Sequence, residues 1–297
     1  MATHTIITGN SQHMTEIPNC SIHLMVTSPP YPMIGMWDEY FRRIDPGIAA
    51  LFKDLENGAA GQAVMKIYCA MHKTLSRVWE EAYRVLVDGG IACINIGDAT
   101  RTVNGFFRLF ANHAKVIDHC EQVGFTTLPY ILWKKPTTKP KYKGKGVFLG
   151  SGFLPPNAYV TLDCEFILLF RKGNLRRFPP NDPCRYDSAF SKAQRDLWFS
   201  QIWTLVGARQ TESQIERRIA AFPIEIVERL IRMFSVKGET VLDPFLGSGT
   251  STKVAMLNDR CSVGYEMEKS LLPLIKKKIG AELLSKYEVS FKERSFC

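Results

Sequence analysis

Apolar runs of strand length alternate with segments of helical period along most of this chain, and that alternation constrains its fold more than any other feature. Ser21–Thr27 (SIHLMVT) reads as a buried strand ending at the Pro29-Pro30 break, and Ala63–Leu86 as a helix stopping at Asp88-Gly89-Gly90. Ile91–Ile96 reads as a strand, Phe107–Val123 as a helix closed by Gly124, and Phe125–Trp133 as a third strand. After an irregular stretch, Cys164–Phe170 is strand-like again. Phe222, Ile226, Val227, Leu230, Ile231 and Phe234 then share one helical face, with Pro223 in the first turn. A strand Glu239–Leu242, a Gly-rich turn, a helix Gly249–Leu257, a strand Cys261–Tyr265 and a last helix from about Glu268 complete the pattern. This order predicts an α/β fold with a doubly wound, largely parallel sheet covered on both faces. Residues 134–162, rich in Lys, Gly and Pro and free of acids, sit in it as an insertion.

Charge singles out the same region. The 297 residues carry 38 Lys and Arg against 29 Asp and Glu, a formal charge of +9. Between Lys134 and Arg177 lie ten basic residues and only two acids, Asp163 and Glu165, so that segment holds +8 and the rest of the chain +1. A localised basic block points to a polyanion partner, the alternative being a solvated loop. No apolar stretch approaches the ~18 residues of a membrane span, and the first ten residues lack a basic start followed by an apolar run, so no secretory signal is expected. Eight scattered cysteines without a Cys-x-x-Cys pair fit free thiols in a reducing cytoplasm better than a zinc site or a disulfide framework. The six histidines include His113 and His119, whose spacing of six does not place both on one helical face, so neither a metal nor acid–base work is expected of them.

Two motifs carry chemistry. Asp243-Pro-Phe-Leu-Gly-Ser-Gly-Thr250 joins a strand to a helix, where Gly247 and Gly249 permit a tight turn and the helix offers free N–H groups. Glu266, nineteen residues after Gly247 at the end of the next strand, is placed to accept hydrogen bonds from ribose hydroxyls. Thr252 stands where a dinucleotide-binding loop has its third Gly, and the loop lacks the Gly-Lys-Ser/Thr of a P-loop; a structural turn is the alternative reading. The second motif, Thr27-Ser-Pro-Pro-Tyr31, follows a strand at the sheet edge where ligands bind. Its two prolines remove two N–H donors and leave carbonyl acceptors suited to an amino group, and Tyr31 offers a flat face to a planar base. A Pro-Pro turn after a strand is otherwise a common structural device.

Together these motifs resemble those of the DNA amino-methyltransferases, Thr27–Tyr31 their catalytic motif and Asp243–Thr250 their S-adenosylmethionine loop. The order, catalytic motif first and cofactor loop last, resembles the permuted β group. Arg84–Gly90 is similar to the family's mid-chain Gly-Gly turn, Ile131–Pro136 and Glu165–Lys172 to the segments flanking its target-recognition region, and Ala221-Phe-Pro223 to the start of its cofactor-contacting helix. One departure is Gly9-Asn10, where related sequences often carry Gly-Asp near the cofactor adenine; Asn still accepts and donates hydrogen bonds.

The resemblance implies a methyltransferase (Rossmann-like) fold divided into a catalytic part (1–136), a target-recognition insertion (137–205) and an S-adenosylmethionine-binding part (206–297). Its implied catalytic residues are Ser28, Pro29, Pro30 and Tyr31, with Ser28 and the Pro29 carbonyl accepting from an exocyclic amino group and Tyr31 stacking on the base. Its implied cofactor contacts are Asn10, Phe222, Pro223, Asp243, Pro244, Phe245, Gly247, Ser248, Gly249, Thr250 and Glu266, and Lys139, Lys141, Lys143 and Lys145 are the expected DNA contacts. Ser28, where many adenine-modifying relatives carry Asp, favours cytosine N(4) over adenine N(6) as acceptor. Pro183-Cys184 stands in a Pro-rich irregular stretch, not after a strand, and is read as incidental. Double-stranded DNA is the implied partner of a monomer or homodimer, in a restriction–modification setting whose nuclease need not touch it. An S-adenosylmethionine enzyme acting on RNA or protein, and a non-catalytic DNA-binding regulator of the same fold, are the rival readings.

Overall fold

The computed structural model describes residues 2–57, 61–103, 106–136, 160, 162–207 and 223–294. Its elements begin with strands β1 (Thr3–Thr8) and β2 (Ile22–Thr27), helices α1 (Asp38–Ile44), α2 (Pro46–Glu56) and α3 (Gly61–Val85), and strand β3 (Leu86–Ile96). A hairpin of β4 (Ala99–Val103) and β5 (Phe106–Phe110) precedes α4 (Asn112–Val123), β6 (Phe125–Lys134) and β7 (Cys164–Lys172). Then come α5 (Pro183–Asp187), α6 (Lys192–Trp198), β8 (Ile202–Thr204), α7 (Ile224–Phe234), β9 (Thr240–Asp243), α8 (Thr250–Leu257), β10 (Cys261–Glu266), α9 (Leu272–Ile279), α10 (Ala281–Lys286) and β11 (Glu288–Glu293).

Among the described residues nine strands form one sheet in the order β11-β1-β10-β9-β2-β3-β7-β6-β8. Among the described residues only β7 runs against its neighbours; the other pairings in this sheet are parallel. Because successive strand side chains point to opposite faces, adjacent residues enter different cores. Leu24 and Val26 join one apolar cluster and Met25 another; Cys93 parts from Ile94, and Ile167 and Leu169 part from Leu168 and Phe170. Trp79, Leu75 and Ala82 of α3 close the first cluster, and Ile226, Val227, Leu230 and Ile231 of α7 close the second. The sheet is therefore doubly wound, and its strands read as near-continuous apolar runs because both faces are dry.

The segment expected to be helical from Phe107 divides instead. Phe106–Phe110 pairs antiparallel with Ala99–Val103, and the helix begins only at Asn112. Cross-strand pairing of an aromatic run overrides its weak helical period. The last expected helix is also broken, by Gly280 at φ +93, and the strand that follows it pairs with β1. Residues 137–205 include β7 and β8, both strands of the main sheet.

The Gly-Gly turn has a specific steric cause. Gly89 has φ +74, and a Cβ there would stand 2.7 Å from the backbone N of Arg176 and 2.7 Å from the backbone O of Asn174. Gly89→Ala should therefore cost about 2 kcal/mol, from left-handed strain and overpacking together. A melting temperature lowered by several degrees, measured by circular dichroism, is the expected outcome.

Candidate active site

The neighbours β2 and β9 bring two distant sequence segments to one sheet edge, Leu24 opposite Val241 and Met25 opposite Leu242. There the Thr27 hydroxyl donates to Asp243 Oδ1 at 2.7 Å. The Phe245 amide donates to the same oxygen at 3.1 Å, and the Ser251 hydroxyl donates to Oδ2. Burial raises the Asp243 carboxyl above its usual range, while these three donors pull it down. Glu266, at the end of β10, accepts from the Gly247 amide at 2.8 Å and from the Glu268 amide at 2.7 Å. Burial outweighs both bonds and pushes its carboxyl up to about 7.

Asp243, Phe245, Gly247, Ser251, Glu266 and Glu268 line a cavity of about 720 Å³, within the ~300–1,000 Å³ of ligand sites. Its floor is Asp243–Ser248 with Thr250 and Ser251, and Tyr265–Glu268 form one side. Ser28, Pro29 and Pro30 enter from β2, and Met36, Trp37, Tyr40 and Arg43 face them from the segment leading into α1 and from α1 itself. Arg43 pairs with Glu268 at 3.0 Å, joining two walls through half-exposed side chains. Gly249 caps α8 at φ +87, and a Cβ there would fall 3.0 Å from Ile275 Cγ2, so the loop can turn into the helix only with glycine.

Beside this cavity stands a polar cluster. Ser28 Oγ and Tyr31 Oη are 3.1 Å apart, and Tyr31 donates to Glu165 Oε2 at 2.8 Å. Asn95 Nδ2 donates to Tyr31 Oη and to Glu165 Oε2, each at 2.7 Å. Lys135 pairs with Glu165 Oε1 and lies 4.6 Å from the Trp133 ring centroid. Burial, and then the Glu165 charge, push the Tyr31 hydroxyl well above its ordinary range, so it keeps its proton.

The structure thus brings Ser28, Pro29, Pro30, Asp243, Pro244, Phe245, Gly247, Ser248, Thr250 and Glu266 to one cavity, with Gly249 in the same loop. Tyr31 is only 7% exposed and packs in the main core, so its ring presents no open face in this conformation; Trp37, Tyr40 and Phe245 are aromatic rings of the cavity wall. Asn10 is spent locally, bonding Gln12 at 2.9 Å through both its amide groups, and Pro223 is a buried cap of α7; neither lines the cavity. Phe222, Lys139, Lys141, Lys143 and Lys145 lie outside the described residues. Cys184, on the short α5, is exposed and away from the cavity lining. Among the described residues no group of three metal-ligating side chains is gathered, and no helix is long and apolar enough to cross a membrane.

Sequence reasoning passes over Glu165, Asn95, Lys135, Tyr40 and Arg43. Two signals are present: Asn95 is a polar residue inside an apolar strand, and Glu165 is one of two acids in the basic block. The contacts that give these two residues meaning cross 30 to 134 residues of chain.

A profile of DNA methylases, the N6- and N4-specific enzymes, matches residues 22–277. The chain belongs to that family. It is 60% identical over 281 residues to the type II methyltransferase M.MjaI of Methanocaldococcus jannaschii, covering 93% of this chain and 91% of that protein. It is 42% identical over 292 residues to the type II methyltransferase M.MthZI of Methanothermobacter thermautotrophicus, covering 97% and 79%. Among solved structures it is similar to TTHA0409 of Thermus thermophilus in complex with S-adenosyl-L-methionine, with TM-score 0.72, 29% identity and coverage of 97% and 99%. This methylase is an S-adenosylmethionine-dependent DNA methyltransferase. The cavity fits that cofactor, offering a carboxylate with unused lone pairs, a tight glycine loop and apolar walls in one enclosure.

Glu266 makes the site's stability depend on pH. A carboxyl at about 7 when folded, against 4.5 otherwise, holds its proton more tightly in the folded chain. Its contribution is full below about pH 4.5 and is lost as pH rises through 7. The melting temperature of the cofactor-free methylase should therefore fall from pH 5 to pH 8, with Glu266→Gln flattening part of that fall in thermal denaturation.

Proposed function

We propose that this methylase transfers the methyl group to the exocyclic N(4) amino group of a cytosine in a specific double-stranded DNA sequence, as the modification enzyme of a restriction–modification system. The observation that carries this reading is Ser28 with the Pro29-Pro30 turn on the wall of the cavity whose floor is Asp243 to Ser248. When bound, S-adenosylmethionine supplies a methyl group already activated by its sulfonium sulfur. What is left to the protein is to hold an amino nitrogen in line with that methyl, so positioning is the main catalytic contribution.

In this reading Glu266 accepts the ribose hydroxyls through its unused lone pairs, and the loop from Asp243 to Thr250 with Phe245 holds the rest of the cofactor. Asn10 and Pro223 stand outside the lining of this cavity and are assigned no cofactor contact in this reading. Ser28 Oγ and the Pro29 carbonyl accept the two amino hydrogens of the base, which turns the nitrogen lone pair outward toward the methyl. As the N–C bond forms and the S–C bond breaks, the nitrogen becomes positive and releases one proton. The target base must leave the duplex to reach this wall, at a cost of a few kcal/mol of unstacking. Ser at position 28, neutral where adenine-modifying relatives often carry Asp, supports cytosine N(4). The type II methyltransferase M.MjaI, at 60% identity, supports the restriction–modification setting. A cognate nuclease would read the same DNA sequence independently.

Incubation with labelled S-adenosylmethionine and plasmid DNA, followed by nucleoside analysis, should yield N(4)-methylcytosine; N(6)-methyladenine in its place would overturn the choice of base. The insertion around 137–162 is the proposed DNA-facing segment. Replacing Lys141, Lys143 and Lys145 by Ala should flatten the slope of log affinity against log salt by about 0.9 for each phosphate no longer neutralised. An unchanged slope in a filter-binding series would remove these lysines from the phosphate-binding surface.

A further inference from the structure

Ser28 faces a problem of direction that the reaction makes acute. A serine hydroxyl both donates and accepts. If Ser28 donated its hydrogen to the substrate nitrogen, it would occupy the lone pair that must attack the methyl group. Only Ser28 as acceptor leaves that lone pair free.

We infer that Glu165 is a positioning residue that fixes Ser28 as a hydrogen-bond acceptor, acting through the hydroxyl of Tyr31; this rests on the amino-methyltransferase reading above. Counting hydrogens leads there. Glu165, paired with the Lys135 ammonium, is a carboxylate and can only accept. Tyr31 has one hydroxyl hydrogen, and it goes to Glu165 Oε2 at 2.8 Å. The remaining acceptor positions of Tyr31 Oη take Asn95 Nδ2 at 2.7 Å and the Ser28 hydroxyl at 3.1 Å. With Tyr31's hydrogen committed, Ser28 must be the donor in that contact. Its own hydrogen is then turned away from the cavity it lines, and its lone pairs are left for the amino group.

Asn95 reinforces the arrangement. Its Nδ2 stands 2.7 Å from both Tyr31 Oη and Glu165 Oε2, while Oδ1, buried, has no hydrogen-bond partner among the described residues. The reversed amide would set Oδ1 against the Glu165 carboxylate, so the acid dictates this orientation too. Asn95 is 1% exposed and Tyr31 7%, so water has little access with which to scramble these directions.

Glu165→Gln tests the direction without changing the shape. The Gln oxygen is drawn to Lys135, which turns the NH2 group toward Tyr31. Tyr31 then gives its hydrogen to Ser28, and Ser28 is left to donate into the cavity. Methyl transfer to plasmid DNA, read with tritiated S-adenosylmethionine, should show kcat lowered about ten- to a hundredfold, with KM for S-adenosylmethionine and the melting temperature unchanged. Tyr31→Phe deletes the shared oxygen, so adding Glu165→Gln to it should lower kcat no further. The double variant Glu165→Gln/Lys135→Met frees the Gln oxygen to face Tyr31 and should match Lys135→Met alone; this pair also serves if the single variant folds poorly. An unchanged kcat for Glu165→Gln, the same fold loss in the Tyr31→Phe background, or no recovery with Lys135→Met would overturn the inference. Wild-type protein that puts no label into DNA would instead defeat the amino-methyltransferase reading itself.

Discussion

The hydrogen bond from Thr27 to Asp243 is where the two halves of this protein become one site. It closes a loop of 216 residues at a distance of 2.7 Å. Pairing of β2 with β9 puts these residues at one edge, and the bond sets how far the Ser28-Pro-Pro turn stands from the glycine loop. Asp243 is then held from its own loop as well, through the Phe245 amide and the Ser251 hydroxyl. A buried carboxylate with three donors is rigid as well as satisfied. Catalytic wall and cofactor floor are thus anchored to the same side chain.

Three carboxylates near the site show how surroundings divide labour among identical groups. Asp243 is saturated by donors and serves as an anchor. Glu165 is balanced by Lys135 and orients hydroxyl and amide hydrogens. Glu266, with two backbone amides and, among the described residues, no ion-pair partner, is left with its carboxyl at about 7 on the side of the cavity. Hydrogen-bond donors, an opposite charge and burial act on each in different proportion.

Much of this is legible in the sequence because the signals are local. The apolar runs of β2, β6, β7 and β10 and the helical face of α7 read directly, since both faces of the sheet are covered and both motifs sit at strand ends. The hairpin at Ala99–Phe110 reads partly as the start of a helix because aromatic residues satisfy either period over a short span. Tyr40 and Arg43 of α1, which wall the cavity, carry no local signature of a binding role; position alone gives them one. The Glu165 cluster is hidden for a related reason. Strand β7 returns antiparallel between β3 and β6, and no periodicity in the sequence announces which strands it will separate.

The splitting of neighbouring residues between two cores has a consequence for accuracy. In a sheet with one wet face, a slip of one residue exposes apolar groups on one side only. Here Leu24 and Met25 are committed to opposite interiors, so the same slip would misfit both at once, and would turn the residues that follow toward the wrong face. Ser28 stands just beyond that strand. The placement of one hydroxyl oxygen is therefore checked by two independently packed interiors, in the way a key cut on both edges admits only one depth of insertion.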